Sequence, residues 1–193
     1  DNIVWLRSDL RVRDNPALHS AMRQGSTACV FLLATQTWSQ HHWSQHKAAF
    51  LLRVLGSLTD QLAKLGVPLQ ILDAPNFDDA TGHLLKFSRE IGAKKLFFNR
   101  EYPVDEKVRD ERVHNTLEEN GIECEPHDSF LVFPPNSILK DDGHPYSVFT
   151  PFKRKWLAKA EGEGLRSLPC PRPQQSRVLE TKIPGEILST RAN

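Results

Sequence analysis

Two adjacent carboxylates, Asp105 and Glu106, could recognise a small molecule. They follow the polar segment 99–103 and fall in the first turn of a predicted helix. A carboxylate can accept two parallel N–H bonds from an amino-pyrimidinone edge, so either residue could hold a ring of that type. Acidic residues in a first helical turn also complement the helix dipole without any ligand. The sequence leaves both interpretations open.

A polar loop with three arginines, Arg7, Arg11 and Arg13, separates the first apolar run from the first predicted helix. The same loop carries Asp9 and Asp14, and carboxylates pair well with guanidinium groups. We therefore expect ion pairs that hold this turn in place rather than direct contacts with a ligand. The loop contains no glycine, which argues against a phosphate-binding loop, because such loops need glycines for close backbone approach.

The sequence shows no metal-binding pattern. His42 and His46 stand four residues apart, but no cysteine or third acidic ligand lies beside them at a zinc-binding spacing. The three cysteines, Cys29, Cys124 and Cys170, are far apart and odd in number. We therefore expect reduced structural thiols in a cytoplasmic protein, with neither disulfides nor a metal.

Alternating strand and helix patterns must position these residues. Apolar runs predict five strands, over 2–6, 27–34, 68–72, 95–99 and 122–125. Amphipathic segments predict a helix in each interval between strands, and a polar loop spans 35–43. Such alternation implies parallel pairing through right-handed crossovers. We predict an α/β fold with a doubly wound, Rossmann-like sheet of five parallel strands in the order 3-2-1-4-5, and a crevice between strands 1 and 4 at their carboxyl ends.

Helix boundaries follow from capping residues. Asn15 with Pro16 predicts the start of the first helix, and Ser44 predicts the start of the long helix that ends at Gly66. The last helix between strands is predicted over 103–120. Its expected contacts with the core are Val104, Val108, Val113 and Leu117.

Composition limits the possible partners. Lys plus Arg number 25 and Asp plus Glu number 24, so the net charge gives no general attraction to nucleic acid or to membranes. No apolar run is long enough to cross a bilayer. We expect no membrane partner.

The character of the chain changes after Phe133. Eight of the thirteen prolines follow from Pro134 onward, and residues 168–173 are typical of an extended connector. We predict a domain over residues 1–133 and a proline-rich interdomain linker over 134–193. A connector implies a second domain, so we expect the chain to be part of a longer protein.

Three motifs together resemble the DNA photolyases and cryptochromes. They are the opening segment 3–18, the segment 99–106, and the segment Val148-Phe149-Thr150-Pro151-Phe152, which occur in the order found in that family. The resemblance covers residues 2 to about 157 and is greatest to the amino-terminal antenna domain of bacterial cyclobutane pyrimidine dimer photolyases. It implies a light-harvesting domain of a DNA-repair enzyme, which acts by light-driven electron transfer from reduced FAD held in a helical domain outside this chain.

The resemblance also implies functional residues. Glu106 would contact the antenna pigment, with Asp105 where the family commonly has asparagine, and His41 would edge the pocket. Methenyltetrahydrofolate is the preferred pigment, and a deazaflavin, a flavin or an empty pocket remains open. Lys153 would contact a phosphate of ultraviolet-damaged DNA, unless the helix around it is solvated and only docks its aromatic side chains on a domain. No residue of this chain is expected to be catalytic, and we expect a monomer that cannot repair DNA alone.

Three other functions stay open on the sequence, one of which is a purely structural or interaction module with an unoccupied crevice. A cryptochrome, a blue-light photoreceptor without repair activity, would share all three motifs. A nucleotide-binding module of the electron-transfer-flavoprotein or universal-stress type would have the same fold and would bind adenine nucleotides tightly. That module is expected to carry a glycine-rich phosphate turn, which we do not find.

Overall fold

Five parallel strands form one sheet in the order β3-β2-β1-β4-β5, as predicted. The computed structural model describes residues 1–175, so the last part of the predicted linker, 176–193, lies outside the described residues. The strands are β1 (Asn2–Leu6), β2 (Thr27–Leu33), β3 (Leu69–Asp73), β4 (Lys95–Asn99) and β5 (Glu123–His127). The helices are α1 (Pro16–Gln24), α2 (Thr35–Gln40), α3 (Gln45–Lys64), α4 (Ala80–Ile91), α5 (Val104–Glu119) and α6 (Phe149–Glu163).

Strand β1 lies at the centre of the sheet. It pairs with β2 from Asn2 opposite Thr27 onward, and with β4 from Asn2 opposite Lys95 onward. The carboxyl ends of β1, β2 and β4 therefore meet at one edge. The loops that leave these strands start side by side, which places the polar residues after β1 and β4 close together.

Two apolar layers cover the sheet. On one face, Leu55, Leu58 and Leu62 of α3 pack with residues of α1 against alternate positions of β1, β2 and β3. On the other face, residues of α4 and α5 pack against the intervening strand positions, including Ile3 and Trp5. Every residue of β1 is buried because helices cover both faces, as expected for a central parallel strand.

Capping residues set the helix starts as predicted. The side chain of Asn15 accepts a hydrogen bond from the Leu18 amide at 3.1 Å, and Pro16 occupies the first helical position of α1. Ser44 caps α3 in the same way by accepting from the amide of Lys47 at 3.2 Å. These caps orient the first turns of α1 and α3, which flank the carboxyl edge of the sheet.

The predicted loop over 35–43 is wrong in its first half, because residues Thr35–Gln40 form α2. Tertiary contacts account for this short helix. The amides of Gln36 and Thr37 donate to the carbonyl of Pro75, and Trp38 packs against the core beside α3. Five polar residues and a single tryptophan show no apolar period, so this segment gives no helical signal of its own.

The predicted inner face of α5 is also wrong in its first half. Val104 is 75% exposed and Val108 is 51% exposed, whereas Val113 and Leu117 are fully buried as predicted. The first turns of α5 lie beyond the apolar face of the sheet and contact charged residues there. A buried arginine and a buried aspartate, described below, take the place expected for the valines.

The predicted linker contacts the sheet domain closely. The amide of Leu168 donates to the Asp14 carboxylate at 2.9 Å, and the Asp14 amide donates to the Leu168 carbonyl at 3.0 Å. The side-chain amide of Gln174 donates to the carbonyls of Thr27 and Gly66 at 2.8 and 3.0 Å and accepts from the Thr27 amide. The predicted linker is therefore hydrogen-bonded at Leu168 and at Gln174 to residues of 1–133, and a domain boundary at 133 remains a prediction.

Among the helices of residues 1–175, none combines the length and the apolar character needed to cross a bilayer.

Candidate ligand-binding crevice

A crevice of about 600 Å³ opens at the carboxyl edge of the sheet. Its lining includes Ser8 after β1, Ala34 after β2, Ala74 after β3 and Glu101 after β4. Open doubly wound sheets bind their ligands at this edge, where the strand order reverses. The predicted location is confirmed, and the crevice extends further, across the ends of β2 and β3.

Aromatic side chains form one wall of the crevice. The rings of Trp38 and Trp43 stack with their centroids 5.0 Å apart and their planes 3° from parallel. The Lys47 ammonium lies 3.6 Å from the centroid of the Trp43 ring, and the neighbouring Phe50 is 61% exposed. This wall offers flat apolar surfaces with one cation beside them, which suits a planar ring system.

Trp5 contributes to the lining from the central strand. Its side chain is almost fully buried, and its indole Nε1 has no hydrogen-bond partner among the described residues. Guanidinium carbons of Arg7 and Arg109 lie 4.3 and 4.8 Å from the Trp5 ring centroid. The ring is thus held by two cation–π contacts while its N–H group remains unpaired.

Four buried charged side chains lie beside Trp5. Arg7 donates to Asp110 at 2.7 Å, and Arg109 donates to Glu101 at 2.7 Å and to Asp110 at 2.8 Å. Each of the four side chains is at most 10% exposed. Two guanidinium groups and two carboxylates balance in charge, so the cluster forms a rigid, neutral support for the crevice.

Glu101 remains ionised in this cluster. Burial alone would raise the pKa of Glu101, but Arg7, the Ser8 hydroxyl and Arg109 together lower the pKa below its ordinary value of 4.5. A carboxylate held ionised is a hydrogen-bond acceptor and a poor proton donor. This arrangement therefore fits a binding role and does not indicate general acid catalysis.

Asn99 ties the opening loop to the end of β4. Its side-chain amide donates to Asp9 and to Asn15, the latter at 2.8 Å, and its oxygen accepts from the Ala17 amide. The Arg7 guanidinium also donates to the Asn99 carbonyl. The expected ion pairs of the opening loop with Asp9 and Asp14 are wrong for the described residues. Arg7 pairs with carboxylates after β4 and within α5 instead, and Arg11 donates to the backbone carbonyl of Asp14 at 2.7 Å.

The predicted pigment-binding residues lie around two adjoining cavities. Glu106 is half-buried and lines the crevice. Asp105 and His41, both exposed, line a neighbouring cavity of about 430 Å³ that shares Asn76 and Arg109 with the crevice. The structure therefore brings Glu106 together with the buried cluster and separates it from the other two candidates.

Lys153 lies exposed on α6. The aromatic side chains around it pack within the chain: Trp156 contacts Phe133 at a centroid distance of 5.5 Å, and Phe152 contacts Tyr146 at 6.2 Å. The first contact joins α6 to Phe133, the last residue of the predicted domain, the second lies within the predicted linker, and a DNA contact of Lys153 stays a prediction. This packing leaves the Lys153 ammonium free to face solvent.

Sequence reasoning gave no binding role to Trp5, Lys47, Arg109 or Asp110. One signal was available for two of them, because positions 109 and 110 follow Glu106 by three and four residues. Residues at that spacing share one face of a helix, so a candidate ligand contact at Glu106 brings both into the same site. Trp5 gave no such signal, since it stands in a continuous apolar run where any aromatic residue suits the core.

The fold and the crevice define a doubly wound α/β domain of the kind that accepts ligands at the reversal of strand order. The chain belongs to the DNA photolyase family, because residues 2–174 match the family model "DNA photolyase". This membership decides against the electron-transfer-flavoprotein or universal-stress alternative.

Two curated relatives illustrate the similarity. The chain is 36% identical over 156 residues to a deoxyribodipyrimidine photo-lyase of Vibrio cholerae, covering 80% of this chain and 33% of the relative. It is 32% identical over 157 residues to cryptochrome-1 of Arabidopsis thaliana, covering 81% of this chain and 23% of the relative. The chain thus spans about a third or less of the length of these relatives.

Solved structures show the same fold. A class III photolyase from Agrobacterium tumefaciens superposes with a TM-score of 0.76 at 25% identity, covering 98% of this chain and 38% of that one. An archaeal photolyase from Sulfolobus tokodaii, solved with two FAD molecules, superposes with a TM-score of 0.77 at 22% identity, covering 99% of this chain and 41% of that one.

Proposed function

We propose that this chain is the light-harvesting domain of a deoxyribodipyrimidine photo-lyase and that its crevice binds the antenna pigment. The observation that carries this proposal is the buried, unpaired N–H of Trp5 in the lining of the crevice. A buried donor without a partner costs about 1–3 kcal/mol, and an acceptor atom on a bound ring would recover that free energy. Family membership supports the same assignment.

The crevice fits a planar heteroaromatic ring. Its volume of about 600 Å³ lies in the range of small-molecule sites, and the Trp38–Trp43 pair supplies a flat apolar wall. Methenyltetrahydrofolate is the first candidate, because the Glu106 carboxylate can accept two N–H bonds from the amino-pyrimidinone edge of its pterin. A deazaflavin or flavin is the alternative, supported by the photolyase from Sulfolobus tokodaii, which was solved with two FAD molecules that imply a novel light-harvesting cofactor.

The residues of this chain would hold the pigment and orient it. Glu106 would bind its polar edge, Trp5 would donate to a ring acceptor, and Lys47 would balance negative charge at the aromatic wall. A bound antenna pigment supplies light absorption and transfers its excitation to reduced FAD in the helical domain that the family resemblance implies. The complete protein would then split cyclobutane pyrimidine dimers in ultraviolet-damaged DNA.

The remaining partners belong to the same proposal. Lys153, exposed on α6, would contact a DNA phosphate and would add to affinity without adding sequence specificity. The complete protein would act as a monomer in the cytoplasm. The 193-residue chain by itself would show no repair, because the reduced FAD that drives repair would be held by the helical domain.

A cryptochrome function is the second candidate, and its support is the 32% identity to cryptochrome-1 of Arabidopsis thaliana. It would use the same crevice for the same pigment. The two candidates differ in repair: illuminated full-length protein converts dimer-containing DNA if it is a photolyase and leaves that DNA unchanged if it is a cryptochrome.

The test is the absorption spectrum of the full-length protein as purified, followed by chromatography of the released pigment. We expect a near-ultraviolet or blue band from a second pigment besides FAD. A protein that retains FAD, lacks such a band, and binds none of methenyltetrahydrofolate, deazaflavin or flavin when each is added would refute the antenna assignment.

A further inference from the structure

Three side chains with different donor atoms meet at the amino end of β5, at the opposite edge of the sheet from the crevice. His114 and Glu118 lie one turn apart on α5, and Cys124 faces them from β5. One nitrogen, one oxygen and one sulfur of these residues all lie within 4.8 Å of one another. Cys124 is buried, His114 is half-buried and Glu118 is exposed, so the group can be reached from solvent on one side.

The backbone already positions these donors. The Glu118 carboxylate accepts the Cys124 amide at 2.7 Å, which fixes the carboxylate at the start of the strand. The Cys124 sulfur lies 4.0 Å from the His114 carbonyl oxygen, in contact with the same turn of α5. Within residues 1–175, no hydrogen bond or ion pair engages the His114 imidazole. Its ring nitrogens are therefore free to take a ligand.

The donor set indicates one class of metal. Nitrogen, oxygen and sulfur together suit Zn²⁺ and similar borderline-soft cations, whereas Mg²⁺ and Ca²⁺ need several oxygen ligands. Donor atoms of a tetrahedral zinc centre lie roughly 3.2–3.8 Å apart, as its bond lengths dictate. Side-chain rotations that move the donor atoms by about 1 Å would bring the three atoms to that separation. Three protein ligands would leave the fourth coordination position for water.

We propose that His114, Glu118 and Cys124 form a binding site for a divalent transition-metal cation of the zinc class. On binding, the Cys124 thiol releases its proton to solvent, the sulfur, imidazole nitrogen and carboxylate oxygen each donate an electron pair to the cation, and no group is oxidised or reduced. We predicted no metal from the sequence. His114 and Cys124 are ten residues apart, and this spacing matches no common zinc motif. The two residues come together only when α5 packs beside β5. The site does not depend on the proposed antenna function.

A cation here would link α5 to β5, an edge strand of the sheet. Val113 and Leu117 are the buried apolar residues of α5, while Glu123 beside Cys124 is exposed and pairs with Lys95 at 2.9 Å. A metal bridge between helix and strand would therefore raise the free energy of unfolding by mass action. The bridge is structural, and no chemistry at the crevice requires it.

The test is a titration of the reduced, chelator-treated 193-residue chain with Co²⁺, followed by displacement with Zn²⁺. We expect one equivalent to give a sulfur-to-cobalt charge-transfer band in the near ultraviolet and tetrahedral d–d bands in the visible, both removed by Zn²⁺. Zn²⁺ should also raise the melting temperature of the chain.

Matched variants locate the site. Cys124→Ser should abolish the charge-transfer band, and His114→Gln or Glu118→Gln should weaken Co²⁺ binding at least about tenfold. Cys170→Ser, which changes an exposed thiol elsewhere, should leave the band unchanged. The Glu118→Gln change lies at an exposed position, so it remains informative if Cys124→Ser fails to fold. No band in the unaltered chain, or a band lost with Cys170→Ser and kept with Cys124→Ser, would overturn the proposal.

Discussion

The Arg7 guanidinium donates to the Asp110 carboxylate at 2.7 Å and so joins the end of β1 to the middle of α5. Both side chains are buried, with 6% and 10% of their surface exposed. The pair spans the strands where the sheet reverses its order, directly beneath the crevice. The stability of the fold and the shape of the crevice therefore depend on the same contact.

Replacing Asp110 with alanine should strongly destabilise the chain. The change leaves two buried guanidinium groups, Arg7 and Arg109, with one carboxylate partner fewer, and breaking a buried pair costs about 3–5 kcal/mol. The free energy of unfolding in urea measures this loss. Asp78→Ala is the matched control, because it breaks an exposed pair with Arg112 on the same helix and should cost at most about 1 kcal/mol. Equal losses in the two variants would contradict a special role for the buried pair.

Replacing Glu106 with glutamine should weaken pigment binding about tenfold. The change keeps the shape of the side chain but removes the charge that accepts N–H bonds, a loss of about 1.4 kcal/mol. The amount of pigment retained by the full-length protein, and the affinity for added pigment, provide the measurement. Asp105→Asn is the neighbouring control and should change the affinity less than twofold, because Asp105 lines the adjoining cavity. The reverse ranking would move the pigment to that cavity.

Replacing Trp5 with phenylalanine tests the unpaired indole. The substitution keeps an aromatic ring in the crevice lining but removes the N–H group, which has no partner among the described residues. Pigment affinity should fall about tenfold, as for the loss of one buried hydrogen bond. Trp156→Phe on α6, which does not line the crevice, should leave the affinity unchanged. Unaltered binding in Trp5→Phe would show that the pigment does not pair with the indole.

Glu101 should make stability depend on acid pH. Because Arg7, Ser8 and Arg109 lower the pKa of Glu101 in the folded chain despite its burial, the folded state binds fewer protons there than the unfolded state. Its stabilising contribution is full above the ordinary pKa of 4.5 and is lost as the pH falls through the lowered pKa. Glu101→Gln should therefore unfold at a lower urea concentration than the unaltered chain at neutral pH, and the difference should shrink below pH 4.5. A difference that does not change with pH would exclude this linkage.

The alternation of strand-like and helix-like segments along the chain predicted the fold well. Strand β4 was predicted with the bounds it has, and the alternation of strands and helices predicted a parallel sheet. The order 3-2-1-4-5 was the preferred choice among doubly wound orders, and it is confirmed. The errors lie where the spacing of apolar residues within a segment disagrees with the contacts that the segment makes in the folded chain. Val104 and Val108 stand at helical spacing with Val113 and Leu117, yet both valines are exposed and the charged pair Arg109 and Asp110 is buried instead.

The site was predicted less completely than the fold. Glu106 lines the crevice; its position after β4 suggested it together with Asp105, and the resemblance to the photolyases and cryptochromes favoured Glu106. Asp110 could not be assigned a partner, because Arg7 is far away in sequence and the charges of the opening loop offered nearer partners. Pairing of buried charges is decided by which strands are adjacent, and that information enters only with the folded sheet.

The central place of β1 has a consequence for synthesis. Its partner on one side, β2, follows within the first thirty-three residues, but its partner on the other side, β4, ends only at Asn99. A nascent chain that carries β1 and β2 therefore exposes an apolar, unpaired strand edge until β4 has left the ribosome. We expect a chaperone to cover this strand edge during that interval. We also expect chains whose synthesis stops before Asn99 to aggregate.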